Sequence, residues 1–115
     1  MRGDPTPQDA YQVSKAGVLA LSKSIAIQFA DSGIRSNAIV PGVIVTPMQA
    51  RMDNNAAMQD AVKGIVPLRR LGTAQDIANM CLFLFSDLSS YVTGAEMVVD
   101  GGLLALPPYA AFAKL

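Results

Sequence analysis

Between Pro7 and Gly33 the chain carries one continuous pattern of helical period, and the small residues within it constrain how that helix can pack. Val13, Ala16, Gly17, Ala20, Leu21, Ser24 and Ala26 recur at helical spacing. Pro5 and Pro7 stand before the pattern, and Gly33 stands after it, where a residue without a Cβ can close a helix in the left-handed region. The spacing predicts a long helix over Asp9 to Ala30. Ala16, Gly17 and Ala20 would let a second helix approach closely, so this element should pack against a helix as well as a sheet. That helix can come from the same subunit or from another.

Ile34 to Val40 reads as a short, largely buried strand bounded by Gly33 and Pro41-Gly42. In open α/β sheets ligands bind beyond the carboxyl ends of the strands, which is where the turn Pro41-Gly42-Val-Ile-Val-Thr46-Pro47 would bring bare backbone and one hydroxyl. Thr46 reads equally as a helix cap before Pro47. From Met48 to Ile65 the chain is methionine-rich and irregular, with Asn54-Asn55 breaking any short helix. Met48, Met52 and Met58 fit either gap filling or an adaptable apolar cover over a pocket. Thr73-Ala-Gln-Asp76 offers a cap-like start, after which Ile77, Met80, Cys81, Leu84 and Phe85 form a stripe expected in a core. Ser86 to Ser90 should end that helix. Tyr91-Val-Thr-Gly94 reads as a turn, Glu96 to Val99 as a last strand and Asp100-Gly101-Gly102 as a sharp exit. The apolar tail Leu103 to Leu115, with Pro107-Pro108, is expected to dock on a surface.

Composition narrows the functional classes. At 115 residues, 51% of them hydrophobic, the chain suits a single small domain able to bury a core. Nine basic and nine acidic residues cancel without a basic stripe, and there is no His, so nucleic-acid binding, histidine chemistry and a metal site find no support. Cys81, the single cysteine, lies in the apolar run Ile77 to Phe85 and reads as a core thiol. No apolar run reaches the roughly 18 residues of a membrane span, and Met-Arg-Gly-Asp-Pro contains no hydrophobic signal segment. The expected setting is soluble, intracellular and cytoplasmic, without a membrane partner.

Tyr11 and Lys15 are one helical turn apart, so phenol and ammonium project from one face, one above the other. A fixed positive charge beside a phenol stabilises its phenolate, and such a phenol can exchange a proton with an alcohol or ketone. Taken alone, the pair also fits a half-buried tyrosine next to a solvated lysine.

A longer series of motifs accompanies this pair. Tyr11-x-x-Ser14-Lys15-x-Gly17 is followed by Gly33-Ile34-Arg35-x-Asn37 and by Pro41-Gly42-x-x-x-Thr46. Pro67-Leu-x-Arg70-x-Gly72 with Ile77-Ala78, then Ser86-Asp87, Tyr91-x-Thr93-Gly94 and Asp100-Gly101-Gly102 complete it. In order and spacing the series resembles the C-terminal half of a short-chain dehydrogenase/reductase of the single-domain, classical type. The resemblance implies an α/β fold: the C-terminal part of a Rossmann-like, doubly wound parallel sheet, with a long helix first and the last two of seven strands. It also implies an NAD- or NADP-dependent enzyme interconverting an alcohol and a ketone, a homo-oligomer (dimer or tetramer) at full length.

Roles follow residue by residue from the same resemblance. Tyr11 would be the general acid/base. Lys15 would support the Tyr11 phenolate and hydrogen-bond the nicotinamide ribose. The backbone at Pro41, Gly42 and Ile44, with the Thr46 hydroxyl, would face the nicotinamide ring and its carboxamide. Ser14 receives no chemistry. The implied segmentation is a lead (1–8), the catalytic helix, strand and turn (9–47), a substrate lid (48–66) carrying Met48, Met52 and Met58, a helix with the last strand (67–102) and a tail (103–115). The family's N-terminal βαβ half, with its glycine-rich pyrophosphate turn, has no counterpart among these residues, and the family's catalytic serine would fall before Met1. The expectation is therefore apolar helix faces and a strand edge left open, and a 115-residue chain inactive by itself. The alternative role is a non-catalytic remnant or interaction module that associates with full-length relatives.

Overall fold

A computed structural model describes residues 8–45 and 56–107. The elements are helix α1 (Asp9–Gln28), strand β1 (Ala38–Pro41), helix α2 (Ala56–Ile65), helix α3 (Ala74–Phe85) and strand β2 (Glu96–Val99), with single 3₁₀ turns at Ala30–Ser32, Asp87–Ser89 and Leu103–Ala105. β1 and β2 form a two-stranded sheet. The Ala38 N–H donates to the Ala95 carbonyl and the Gly42 N–H to the Val99 carbonyl, both at 2.9 Å; residue numbers rise together on both partners, which makes the pair parallel. The described residues divide into two compact units, one drawn from Met1–Ala38 and Ser90–Glu96, the other from Ile39–Ser89 and Met97–Leu115.

In the first unit the small-residue period produces the expected helix, with Asp9 in the first turn, where a carboxylate favours the positive end of the helix dipole. The α-helix stops at Gln28, two residues before the predicted end. Its last turn tightens into the 3₁₀ turn Ala30–Ser32, and Gly33 closes it at φ 71°. This is the left-handed stop the sequence promised. A Cβ on Gly17 would meet no heavy atom within 4 Å, so no neighbouring helix uses the small stripe among the described residues. Ala26 is the buried residue of α1, lying against the Thr93-Gly94 turn, where a Cβ on Gly94 (φ 71°) would stand 3.6 Å from the Ala26 Cβ.

The predicted strand Ile34 to Val40 is shorter and shifted: β1 begins at Ala38. Residues 35 to 37 commit their polar groups elsewhere. The Val92 carbonyl accepts from Arg35 Nη1 and from Asn37 Nδ2, each at 2.9 Å, while Asn37 Oδ1 accepts the Ala95 N–H at 3.0 Å. The Ser36 N–H donates to Thr93 Oγ1, the Gly94 N–H donates to the Ser36 carbonyl, and the Ser22 and Ser36 hydroxyls lie 3.0 Å apart. A side-chain clamp thus replaces the first rungs of a ladder, and Ile34 is left 48% exposed. Each such bond contributes about 0.5–1.5 kcal/mol net.

In the second unit α3 starts at a capping box: the Thr73 hydroxyl accepts the Asp76 N–H while the Asp76 carboxylate accepts the Thr73 N–H. The helix that forms at Ala56–Ile65 lies in a stretch predicted to be irregular. Val66 is 3% exposed, covered by the chain exit after β2, where Gly101 (φ 67°) and Gly102 (φ 90°) both take positive φ. A Cβ on Gly101 would come within 2.7 Å of Val66 Cγ1. Ser89, fully buried, satisfies its hydroxyl on the carbonyls of Leu84 and Ser86.

The apolar stripe of α3 corrects one expectation. Ile77, Met80, Cys81 and Leu84 are only half-buried, and Phe85 is 89% exposed. α1 shows the same lack of cover, with Val13 72% and Ile27 80% exposed. These residues have the period of a core face, but no described element lies over them. No helix among the described residues is long and apolar enough to cross a membrane.

Candidate active site

α1 delivers the first pair. Lys15 Nζ stands 5.5 Å from the centroid of the Tyr11 ring, within the reach of a cation–π contact, and both residues are exposed. The ammonium therefore lies over the ring face, with the phenol open to a reacting group. Ser14 Oγ donates to the Tyr11 carbonyl at 2.7 Å, a bond within the helix.

The second group lies in the other unit, at the carboxyl end of β1. Pro41 is the last residue of the strand, and Gly42 follows with its N–H on the Val99 carbonyl. A Cβ on Gly42 would sit 2.6 Å from Asp100 Cα and 2.7 Å from Asp100 Cβ, so the turn and the end of β2 approach as closely as backbones can. Asp100 is itself fastened: Oδ1 accepts the Gly102 N–H at 2.8 Å and Oδ2 the Leu104 N–H at 2.7 Å. These backbone donors, Leu104 foremost, hold its carboxyl below the usual carboxylate range. Ile44 forms a parallel bridge with Gly72.

Of the residues proposed from sequence, Tyr11 and Lys15 are brought together on one helix face, and Pro41, Gly42 and Ile44 follow one another through one turn. Thr46, Met48 and Met52 lie outside the described residues; so does the side chain of Met58, whose backbone belongs to α2. A cavity of about 430 Å³ borders the turn, lined by Val43, Ile44, Val66, Leu68, Val99 and Gly101, among others, and by Arg70 and Asp76.

Sequence reasoning placed Arg70 and Gly72 in a motif but gave neither a task. Arg70 grips Asp76 with two parallel bonds, Nη1 to Oδ2 and Nη2 to Oδ1, both 2.8 Å. A separation of six residues matches no helical pairing rule, so only the folded loop reveals it. Asp76 also accepts the Thr73 N–H at 2.7 Å and the Thr73 hydroxyl at 2.8 Å. Arg70 first, then the Thr73 amide and hydroxyl, hold the Asp76 carboxyl well below the usual range.

A group depressed in the folded state contributes stability above its unfolded pKa, about 4 for Asp, and loses that contribution as pH falls from there towards the folded value. The urea midpoint should therefore drop below pH about 4. Asp76→Asn should flatten this acid limb and lower the midpoint at neutral pH. Arg70 is half exposed, so 1 M salt should weaken, without abolishing, the difference between the two proteins at neutral pH. An unchanged acid limb in Asp76→Asn would show that other carboxylates set it.

Comparison with known proteins bears on the family and the fold. The sequence profile of a family described as enoyl-(acyl carrier protein) reductase matches residues 2–104. An uncharacterized short-chain type dehydrogenase/reductase of Sinorhizobium fredii is 50% identical over 94 residues, which are 82% of this chain and 37% of that protein. Among solved structures, an oxidoreductase of the short-chain dehydrogenase/reductase family from Burkholderia thailandensis superimposes with a TM-score of 0.83 at 38% identity, covering 96% of this chain and 44% of the other. A 4-hydroxyisoleucine dehydrogenase complexed with NADH gives a TM-score of 0.82 at 34% identity, covering 90% and 43%. The chain spans about two fifths of the length of the curated relatives it matches.

Proposed function

The chain belongs to the short-chain dehydrogenase/reductase family, and from that membership we propose that it carries the proton-transfer part of an NAD(P)-dependent oxidoreductase interconverting an alcohol and a ketone. The observation that carries the reading is the Lys15 ammonium poised over the exposed Tyr11 ring.

By residue type, two groups, each within its own unit, suit parts of the nicotinamide end of a cofactor. Lys15 is an exposed donor suited to ribose hydroxyls, and the backbone at Pro41, Gly42 and Ile44, with the Thr46 hydroxyl, is assigned to the nicotinamide ring and its carboxamide. For the pyrophosphate these 115 residues contain no G-x-G-x-x-G pattern. When bound, the reduced nicotinamide supplies the hydride that goes to the carbonyl carbon. Tyr11 gives its hydroxyl proton to the carbonyl oxygen in the same reduction and takes it back from the alcohol in the reverse direction. Lys15 stabilises the phenolate left behind, by charge. The 115 residues by themselves should therefore show no ketone turnover with NADH or NADPH, whereas joined to a glycine-rich nucleotide-binding half they should turn over a ketone through Tyr11. Turnover there that is indifferent to Tyr11→Phe would sink the reading.

The open apolar faces of α1 and α3 favour a second role for the chain as it stands, that of an interaction module that joins copies of itself or full-length relatives. Sedimentation should find the 115-residue chain associated at micromolar concentration, and a cooperatively folded monomer would count against this role.

A further inference from the structure

We propose that Gly72 is a positioning residue for the backbone that follows the Pro41–Gly42 turn; the inference rests on the reading that this backbone faces the nicotinamide. Gly72 touches it on both sides. The Gly72 N–H donates to the Val43 carbonyl and the Val45 N–H donates to the Gly72 carbonyl, each at 2.9 Å, so Ile44 is held between two bonds to a single partner.

The space above Gly72 is as specific as its bonds. A Cβ there would stand 2.4 Å from Ile44 Cδ1, whereas its distance to the Val43 carbonyl, 3.4 Å, is ordinary contact. The missing side chain is thus the seat of one methyl group, and any other residue at 72 displaces Ile44 while leaving room for the backbone. Gly72 can hold this position because its own flanks are fixed, by the Arg70–Asp76 pair on one side and the Thr73 capping box on the other. Order passes from the N-terminus of α3, through Gly72, to Val43–Val45. A displacement of about 1 Å in such a positioning element can cost about a hundredfold in rate, although Gly72 touches no reacting atom.

Amide hydrogen exchange followed by NMR on the 115-residue chain tests this. Gly72→Ala should speed exchange at Val45 by about tenfold or more while the Ala38 and Gly42 amides, which belong to the β1–β2 ladder, keep their rates. Ile44→Val removes Cδ1, so the double variant Ile44→Val/Gly72→Ala should regain protection at Val45. Unchanged exchange at Val45 in Gly72→Ala, or a double variant no better than Gly72→Ala, overturns the proposal. Should Gly72→Ala unfold outright, refolding of the double variant supports the seat and its failure to refold overturns it.

Adding NADH to these residues joined to a glycine-rich nucleotide-binding half separates the two layers of the inference. Amide shifts at residues 43–45 in the wild type that disappear in Gly72→Ala and return in the double variant support positioning; shifts that persist unchanged in Gly72→Ala overturn it. If NADH moves none of these amides in the wild type, the nicotinamide reading fails, and the exchange rates still decide whether Gly72 seats Ile44.

Discussion

Tyr11→Phe, made where these residues are joined to a nucleotide-binding half, should lower kcat for ketone reduction by about 10²–10⁴-fold, the span lost when a positioned general acid is deleted. The substitution removes one oxygen and keeps the ring. Lys15 retains the aromatic face it now covers at 5.5 Å, and α1 keeps its packing, because Tyr11 is 60% exposed and contributes little to any core. Thermal stability should stay within about 0.5 kcal/mol of the wild type, as for other exposed substitutions. The combination of lost turnover and retained stability is what separates a chemical role from a structural one. Cofactor affinity should change little, since the role given to Tyr11 is toward the substrate oxygen. A variant with ordinary turnover would remove Tyr11 from the mechanism.

Gly42→Ala should be the most damaging small substitution to the fold, by about 1–3 kcal/mol or more, read as a fall in the urea midpoint. The added methyl would meet Asp100 Cα at 2.6 Å and Asp100 Cβ at 2.7 Å. Neither atom can move aside alone. The Asp100 carboxylate is tied to the Gly102 and Leu104 amides, and the Gly42 N–H is tied to the Val99 carbonyl. The clash at Gly72 is of another kind, since there the obstructing atom is the far end of a flexible side chain. Gly42→Ala should accordingly cost more than Gly72→Ala. The reverse order would mean that the turn is free to open away from Asp100.

Much of this was legible in the residues. The small-residue period between Pro7 and Gly33 located α1, and the αL stop appeared where Gly33 allows it. Thr73 and Asp76 announced a helix start, and β2 coincides with the Glu96 to Val99 run. The Tyr11 and Lys15 pair followed from helical spacing alone. In contrast, Ile34 to Asn37 carry a convincing strand pattern and are not strand, because Arg35 and Asn37 are claimed by the Val92 carbonyl more than fifty residues away. The stripe through Phe85 has core periodicity without a described neighbour to make it core.

Features that close within one turn of chain were readable from the residues: the placement of α1 and its left-handed stop at Gly33, the capping box of α3, and which side chains share the face that holds Tyr11 and Lys15. Their energies depend on neighbours a few residues apart, so periodicity and residue type suffice to read them. That Gly42 abuts Asp100, that Arg70 clasps Asp76 across a loop, and that Gly72 receives Ile44 between two hydrogen bonds are consequences of the three-dimensional fold. Those contacts exist after loop-closure entropy has been overcome and backbones have met at van der Waals distance, and neither condition leaves a periodic trace in the chain.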